Sequence, residues 1–188
     1  MSLAVYMLKT FSLSLLRLSV SDNSAGMRST PTFLKRKIMN TTIEKATELA
    51  IAIIKVFEDC KLTAYKCPAG VWTIGWGETQ GVKKGMKWTQ ETANERLCVR
   101  LKEFMSGVLK SCPGLQNSPE RLGACVSLAY NIGLSAFERS SVCRNTNNEA
   151  WIAAANSFPL WNKAGGKVLN GLVRRRAAEK KLYEAGDL

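Results

Sequence analysis

Phe57-Glu58-Asp59-Cys60-Lys61-Leu62-Thr63-Ala64-Tyr65-Lys66-Cys67-Pro68-Ala69-Gly70-Val71-Trp72-Thr73-Ile74-Gly75-Trp76-Gly77 is the stretch that decides how the chain folds. It opens with a carboxylate at the end of a strongly helical pattern. Two short runs rich in aromatic and β-branched residues come next, Leu62 to Lys66 and Val71 to Trp76, separated by Cys67-Pro68-Ala69-Gly70. Such runs around a turn sequence predict a β-hairpin. A helix followed at once by a hairpin, in a chain otherwise patterned for helices, predicts an α-rich α+β fold with one small sheet.

Upstream, Ile43, Ala46, Ala50, Ile53 and Phe57 recur at three- and four-residue steps, the signature of one buried helix face. Thr41 with Glu44 three residues on has the form of a capping box, which predicts a helix start at Thr41. Glu58 then lies at the C-terminal end, where the helix dipole disfavours a negative charge. Residues 1–38 differ in character and read as an N-terminal extension, disordered or weakly helical. Lys9 and Arg17 interrupt its apolar part, which is too short and polar for a membrane span or a secretion signal. A weak membrane-associating segment is the sharper alternative.

Downstream, Thr89-Gln90-Glu91 opens a helix whose face carries Ala93, Leu97, Leu101 and Phe104 or Met105. Ser118-Pro119-Glu120 is a second start, with a capping serine, proline at the first helical position and an acid in the first turn. The helix after it, through Leu122, Cys125, Val126, Ala129 and Tyr130, is almost wholly apolar and belongs at the centre of a lobe; Gly133 ends it. Short helices are expected from Ser135 and Asn148. A last helix, over roughly 166–185, should pack Val168, Leu169, Leu172 and Val173 inward and carry its basic residues elsewhere.

Composition narrows the chemistry. The 188 residues suffice for one domain with a core, and the formal charge of +12 implies an anionic partner. There is no histidine, which removes Ser-His-Asp and Cys-His catalysis and histidine-ligated metals. The six cysteines contain no Cys-x-x-Cys pair, so no metal or cofactor is expected, and reduced, mostly buried thiols are favoured over three disulfides. A carboxylate at a helix end is, on its residues alone, a solvated charge more often than a catalytic group, but carboxylate chemistry stays open to it. A glycosidase needs an acid for the leaving oxygen and usually a second group for the water, and Glu58 suits the first role. Asp59 lies about 100° further round the helix and reads as a solvated charge.

The order of residues goes further. Glu58, eight intervening residues, Cys67, five more and Thr73 in Val71-Trp72-Thr73-Ile74-Gly75-Trp76-Gly77 resemble the phage-type lysozymes, glycoside hydrolase family 24. The resemblance continues in Ser127-Leu128-Ala129-Tyr130-Asn131-Ile132-Gly133 and from Gly165-Gly166-Lys167 through Arg174-Arg175-Arg176-Ala177-Ala178-Glu179, covering about residues 41–186. It implies a catalytic domain over 39–188: an N-terminal lobe (39–88) with the small sheet, a connecting helix (89–110) and a helical C-terminal lobe (111–188). Peptidoglycan would bind in the cleft.

By that resemblance Glu58 is the general acid and Thr73 helps to hold the attacking water. Trp72, Tyr130 and Asn131 are candidates for contacting the glycan. The family's second carboxylate falls on Cys67, a departure that leaves three roles open: base for water, nucleophile, or bystander. Lys61 and Lys66 are near enough in sequence to favour its thiolate. Glu78, where the family has histidine, should bear on a structural ion pair. Arg174, Arg175, Lys180 and Lys181 on the basic last helix are candidates for contact with anionic outer-membrane lipid. The expected protein is a monomeric phage or prophage endolysin, made in the host cytoplasm and reaching the periplasmic wall through a separate holin, with no nucleic-acid partner. A lytic transglycosylase and a non-catalytic cationic membrane-permeabilising protein are the rivals.

Overall fold

The computed structural model describes residues 31–67 and 69–187, so the expectations for residues 1–30 lie outside the described residues. Helix α1 spans Pro31–Phe57 and leads into the antiparallel hairpin of β1 (Lys61–Lys66) and β2 (Trp72–Gly75). Helix α2 (Gln90–Ser111) connects to a 3-10 turn and then to α3 (Pro119–Ile132). The short helices α4 (Leu134–Glu138), α5 (Ser141–Asn147) and α6 (Trp151–Ser157) come next. A second, two-residue-per-strand hairpin, β3 (Lys163–Ala164) with β4 (Lys167–Val168), precedes α7 (Asn170–Glu184). The fold is mostly helical with a small sheet, as expected. Among the described helices, none is long and apolar enough to cross a membrane.

Helix α3 is the hub: every residue from Arg121 to Ala129 is buried. It packs against α1, α2 and α7. Gly123 permits a close crossing with α1, since a β-carbon there would lie 3.0 Å from the Ala46 carbonyl oxygen and 3.1 Å from the Leu49 β-carbon. On α1 the residues that turn inward are Ala46, Ala50 and Ile54, with Ile43, Ile53 and Phe57 half-buried. On α2 they are Ala93, Leu97, Leu101, Phe104, Met105 and Val108. Thr89 caps α2, its side chain accepting from Thr92 N at 3.2 Å.

Three local expectations are corrected. Helix α1 begins at Pro31, ten residues before Thr41, so Thr41 is interior and the Thr41–Glu44 pattern does not mark the helix start. Proline is tolerated in the first turn, where its missing N–H would have no partner, and nothing between it and Thr41 breaks a helix. Ser118 stands at the N-cap of α3 but its side chain makes no cap hydrogen bond; the start rests on Pro119 and on Glu120, which takes Lys45 Nζ at 2.6 Å.

The third correction concerns α7. Val168 and Leu169 precede the helix and are 54% and 44% exposed; on it Val173 is 42% exposed and Leu172 half-buried, whereas its buried face is Arg175, Arg176, Glu179 and Tyr183. Its inward stripe is therefore largely ionic. Glu179 Oε1 accepts from Ser127 Oγ on α3 at 2.7 Å, from Arg175 Nε at 3.2 Å and from Arg176 Nη2 at 2.9 Å. Burial pushes the Glu179 carboxyl up, against the pull of the two guanidinium groups and Ser127, and pushes Arg176 down to about 10. Charges this deep persist only when paired, because desolvation costs several kcal/mol per ion.

Replacing Glu179 with Ala takes the carboxylate from Arg176 and should destabilise the fold by about 3–5 kcal/mol in urea unfolding; a loss below about 1 kcal/mol would show that the cluster contributes little.

Candidate active site

Glu58 comes directly after the last residue of α1, its N–H still bonded to Ile54 O at 2.8 Å. That bond fixes the backbone where the helix stops, so the carboxylate leaves the helix end in a set direction. Its side chain is 29% exposed and therefore open to solvent. Oε1 takes Arg175 Nη1 at 2.5 Å, from a residue 117 positions later in the chain. Arg175 is itself anchored twice more, by Nε to Glu179 and by Nη2 to the Ser127 carbonyl at 3.3 Å. Acid, guanidinium and buried carboxylate form one chain of contacts from half-exposed Glu58 into the core.

Beyond Glu58 in the chain stands the β1–β2 hairpin, registered Tyr65 to Thr73 and Lys66 to Trp72. Its connection begins at Cys67, whose N–H donates to Val71 O at 2.9 Å and whose carbonyl accepts from Gly70 N at 2.8 Å. Gly70 adopts φ 78°, a left-handed conformation open to glycine at little cost. The tight turn gathers polar groups at one sulfur. Backbone groups of Val71 and Ala69, then the Thr73 side chain, hold the Cys67 thiol below its ordinary value. The lysines expected to do this do not: Lys61 Nζ lies over the Tyr65 ring at 4.4 Å and Lys66 Nζ over the Trp72 ring at 5.6 Å.

Thr73 is buried, with Oγ1 donating to Val71 O at 3.1 Å. Glu58, Cys67 and Thr73 therefore share one neighbourhood, and the link between the two sides is electrostatic. Burial raises the Tyr65 phenol, and the charges of Cys67, Glu58 and Asp59 raise it further. Asp59 is exposed, as a solvated acid should be.

Of the candidate glycan contacts, Trp72 is half-buried on the hairpin and Asn131 exposed near the end of α3. Tyr130 serves the architecture, because its hydroxyl donates to Trp76 O at 2.7 Å and its ring lies 5.3 Å from that of Phe104. Burial first, then Glu58 and Glu78, push its phenol up. It thereby ties α3 to the hairpin. Glu78 is buried and accepts from the N–H groups of Thr79 and Gln80 at 2.9 and 2.8 Å, with Arg96 Nη2 at 3.8 Å from its other oxygen. That is structural duty, as its position suggested.

The basic residues of α7 divide. Arg174 and Lys181 are exposed and Lys180 is half-buried, bonded to Asn156 Oδ1 at 2.7 Å. Arg175 is only 2% exposed; the expectation that it meets an outer surface is overturned, because Glu58 and Glu179 claim its guanidinium. Sequence reasoning thus missed Arg175, Glu179 and Ser127 as parts of the site. The available signal was the i,i+4 spacing of Arg175 and Glu179, with a serine in an otherwise apolar helix.

The chain as a whole is similar to known proteins. The phage lysozyme family model matches residues 55–179, and the chain belongs to that family. It is 38% identical over 143 residues to the endolysin of Bacillus phage PZA, covering 74% of this chain and 55% of that protein, so it spans about half the length of that curated relative. Against the endolysin of Acyrthosiphon pisum secondary endosymbiont phage 1 it is 34% identical over 143 residues, 74% of this chain and 97% of the relative. Among solved structures, the muramidase domain of SpmX from Asticaccaulis excentricus superposes with a TM-score of 0.64 at 32% identity, covering 71% of this chain and 93% of that domain.

The turn groups lower the pKa of the Cys67 thiol, which should make it easier to alkylate. Alkylation of Cys67 by iodoacetamide, followed by peptide mass spectrometry across pH, should show a midpoint below the value of about 8.5 for a free thiol. Thr73→Val should move that midpoint upward; an ordinary midpoint in both proteins would remove the turn's influence.

Proposed function

We propose that the chain is an endolysin that hydrolyses the β-1,4 bond between N-acetylmuramic acid and N-acetylglucosamine in peptidoglycan. The observation that carries the reading is Glu58, solvent-open yet held through Oε1 by a buried guanidinium, beside a hairpin turn that lowers the pKa of Cys67. The likeness to a muramidase domain, that of SpmX, supports the same bond.

In this reaction Glu58 delivers a proton to the leaving glycosidic oxygen, as bond cleavage builds positive character on the sugar. Arg175 occupies Oε1, so delivery falls to Oε2. The Cys67 thiolate takes a proton from water, and the Thr73 hydroxyl helps to orient that water. Inversion is then the expected stereochemical outcome. The wall's own anionic groups would draw in a chain of charge +12, an attraction that salt weakens. Synthesis in the host cytoplasm and release to the periplasmic wall by a separate holin complete the reading.

Digestion of purified cell walls with wild type and Glu58→Gln, followed by mass spectrometry, tests it. Wild type should leave reducing-end muramic acid, and Glu58→Gln should lose at least about 100-fold in rate, as removal of a general acid does. Anhydro-muramic ends would assign a lytic transglycosylase instead. Full lysis of chloroform-treated cells by Glu58→Gln would assign non-catalytic permeabilisation. For the outer surface, exchange of Arg174, Lys180 and Lys181 for Gln should reduce killing of intact Gram-negative cells more than hydrolysis of isolated walls. Equal losses would argue against lipid contact.

A further inference from the structure

Three thiols meet in the core, away from the Cys67 turn. Cys112 ends α2, its N–H bonded to Val108 O at 2.8 Å. Cys143 lies in the first turn of α5, its N–H bonded to Ser140 Oγ at 3.0 Å. Both are buried and both are free thiols, and Cys112 Sγ lies 3.0 Å from Cys143 Sγ. The third, Cys125 on α3, is fully buried and close enough for its charge to act on Cys112. The backbones at both members of the close pair are pinned, so the sulfurs meet because of where α2 ends and α5 begins. Asn147 reinforces this junction, donating from Nδ2 to Ser111 O at 2.8 Å.

We propose that Cys112 and Cys143 are a disulfide site, reduced in the described state and closed when the chain meets oxidised glutathione. The sulfurs need approach by only about 1 Å to reach a bond length of about 2.05 Å. The step is ordinary exchange. The Cys143 thiolate, favoured by the hydrogen bond from Cys112, attacks one sulfur of oxidised glutathione and expels one glutathione thiolate. Cys112 then gives up its proton and attacks the Cys143 sulfur of the mixed disulfide, expelling the second. Two cysteine thiols become one disulfide, one glutathione disulfide becomes two thiols, and the two protons pass to the departing thiolates.

The bond would join residues 31 positions apart and enclose α3 and α4 in a covalent loop. Cross-linking a loop of this length restricts the unfolded chain far more than the folded one. The chain would be unlocked in a reducing compartment and locked on entering an oxidising one. This holds whatever bond the chain cleaves, because both sulfurs lie in the core, apart from Glu58, Cys67 and Thr73.

The test uses the full chain, reduced and then equilibrated with oxidised glutathione. Non-reducing peptide mapping should find the Cys112 and Cys143 peptides linked, and Tm should rise by about 5–10 °C. Cys143→Ala should show neither effect. If that variant fails to fold, the wild-type peptide map decides alone. Cys112 and Cys143 both free after exposed Cys98 has been fully oxidised, or Cys125 taking the place of either, would overturn the proposal.

Discussion

A guanidinium with almost no access to water joins the core of this protein to the half-exposed carboxylate of Glu58. All three nitrogen positions of Arg175 are committed: Nε to Glu179, Nη1 to Glu58 and Nη2 to the Ser127 carbonyl. Removing such charges from water costs several kcal/mol each, and apolar side chains of similar volume often serve stability equally well. What an apolar stripe on α7 could not supply is direction. A planar fork with fixed donor geometry sets the Glu58 carboxylate relative to α3, and α3 carries the contacts that set everything else.

The same dependence reaches the hairpin. Tyr130 holds Trp76 from α3, and Trp76 Nε1 donates to Asn94 Oδ1 on α2 at 3.0 Å. At the far end of β2, Gly75 at φ 62° lets Trp88 pack so close that an added β-carbon would meet its ring at 2.9 Å. The sheet is small, but these contacts tie it to both α2 and α3. The proposed roles of Glu58 and Cys67, which come from different elements, would depend on such ties, since catalysis by positioned groups decays steeply with misplacement.

Much of this was legible in the chain. The periodicity of Ala46 and Ala50, the runs around Cys67 to Gly70 and the apolar length of α3 each reflect local physics with one strong solution. Glu58, Cys67 and Thr73 were singled out by the family resemblance that their order carries, and the fold brings them into one neighbourhood. The inward face of α7 was not. Helical periodicity reads apolar stripes, and here Val168 and Leu169 lie before the helix and Val173 faces solvent, while Arg175, Arg176 and Glu179 are buried. A charged residue is buried only if distant partners satisfy it, and Glu58 and Ser127 lie 117 and 48 positions away. For the same reason the source of Cys67 activation was misplaced: adjacent lysines are visible in sequence, whereas converging turn amides exist only once the turn has formed.

Steady-state hydrolysis of purified cell walls by Arg175→Met, with fold and Tm recorded alongside, bears most directly on the cluster. Glu179 keeps Arg176 and Ser127 as partners in that variant, so the fold should survive. The expected result is a native circular dichroism spectrum with kcat reduced about 10- to 100-fold and KM little changed, the mark of a misdirected acid. A natively folded variant with kcat within about twofold of wild type would contradict the assignment of Arg175 as the residue that positions Glu58.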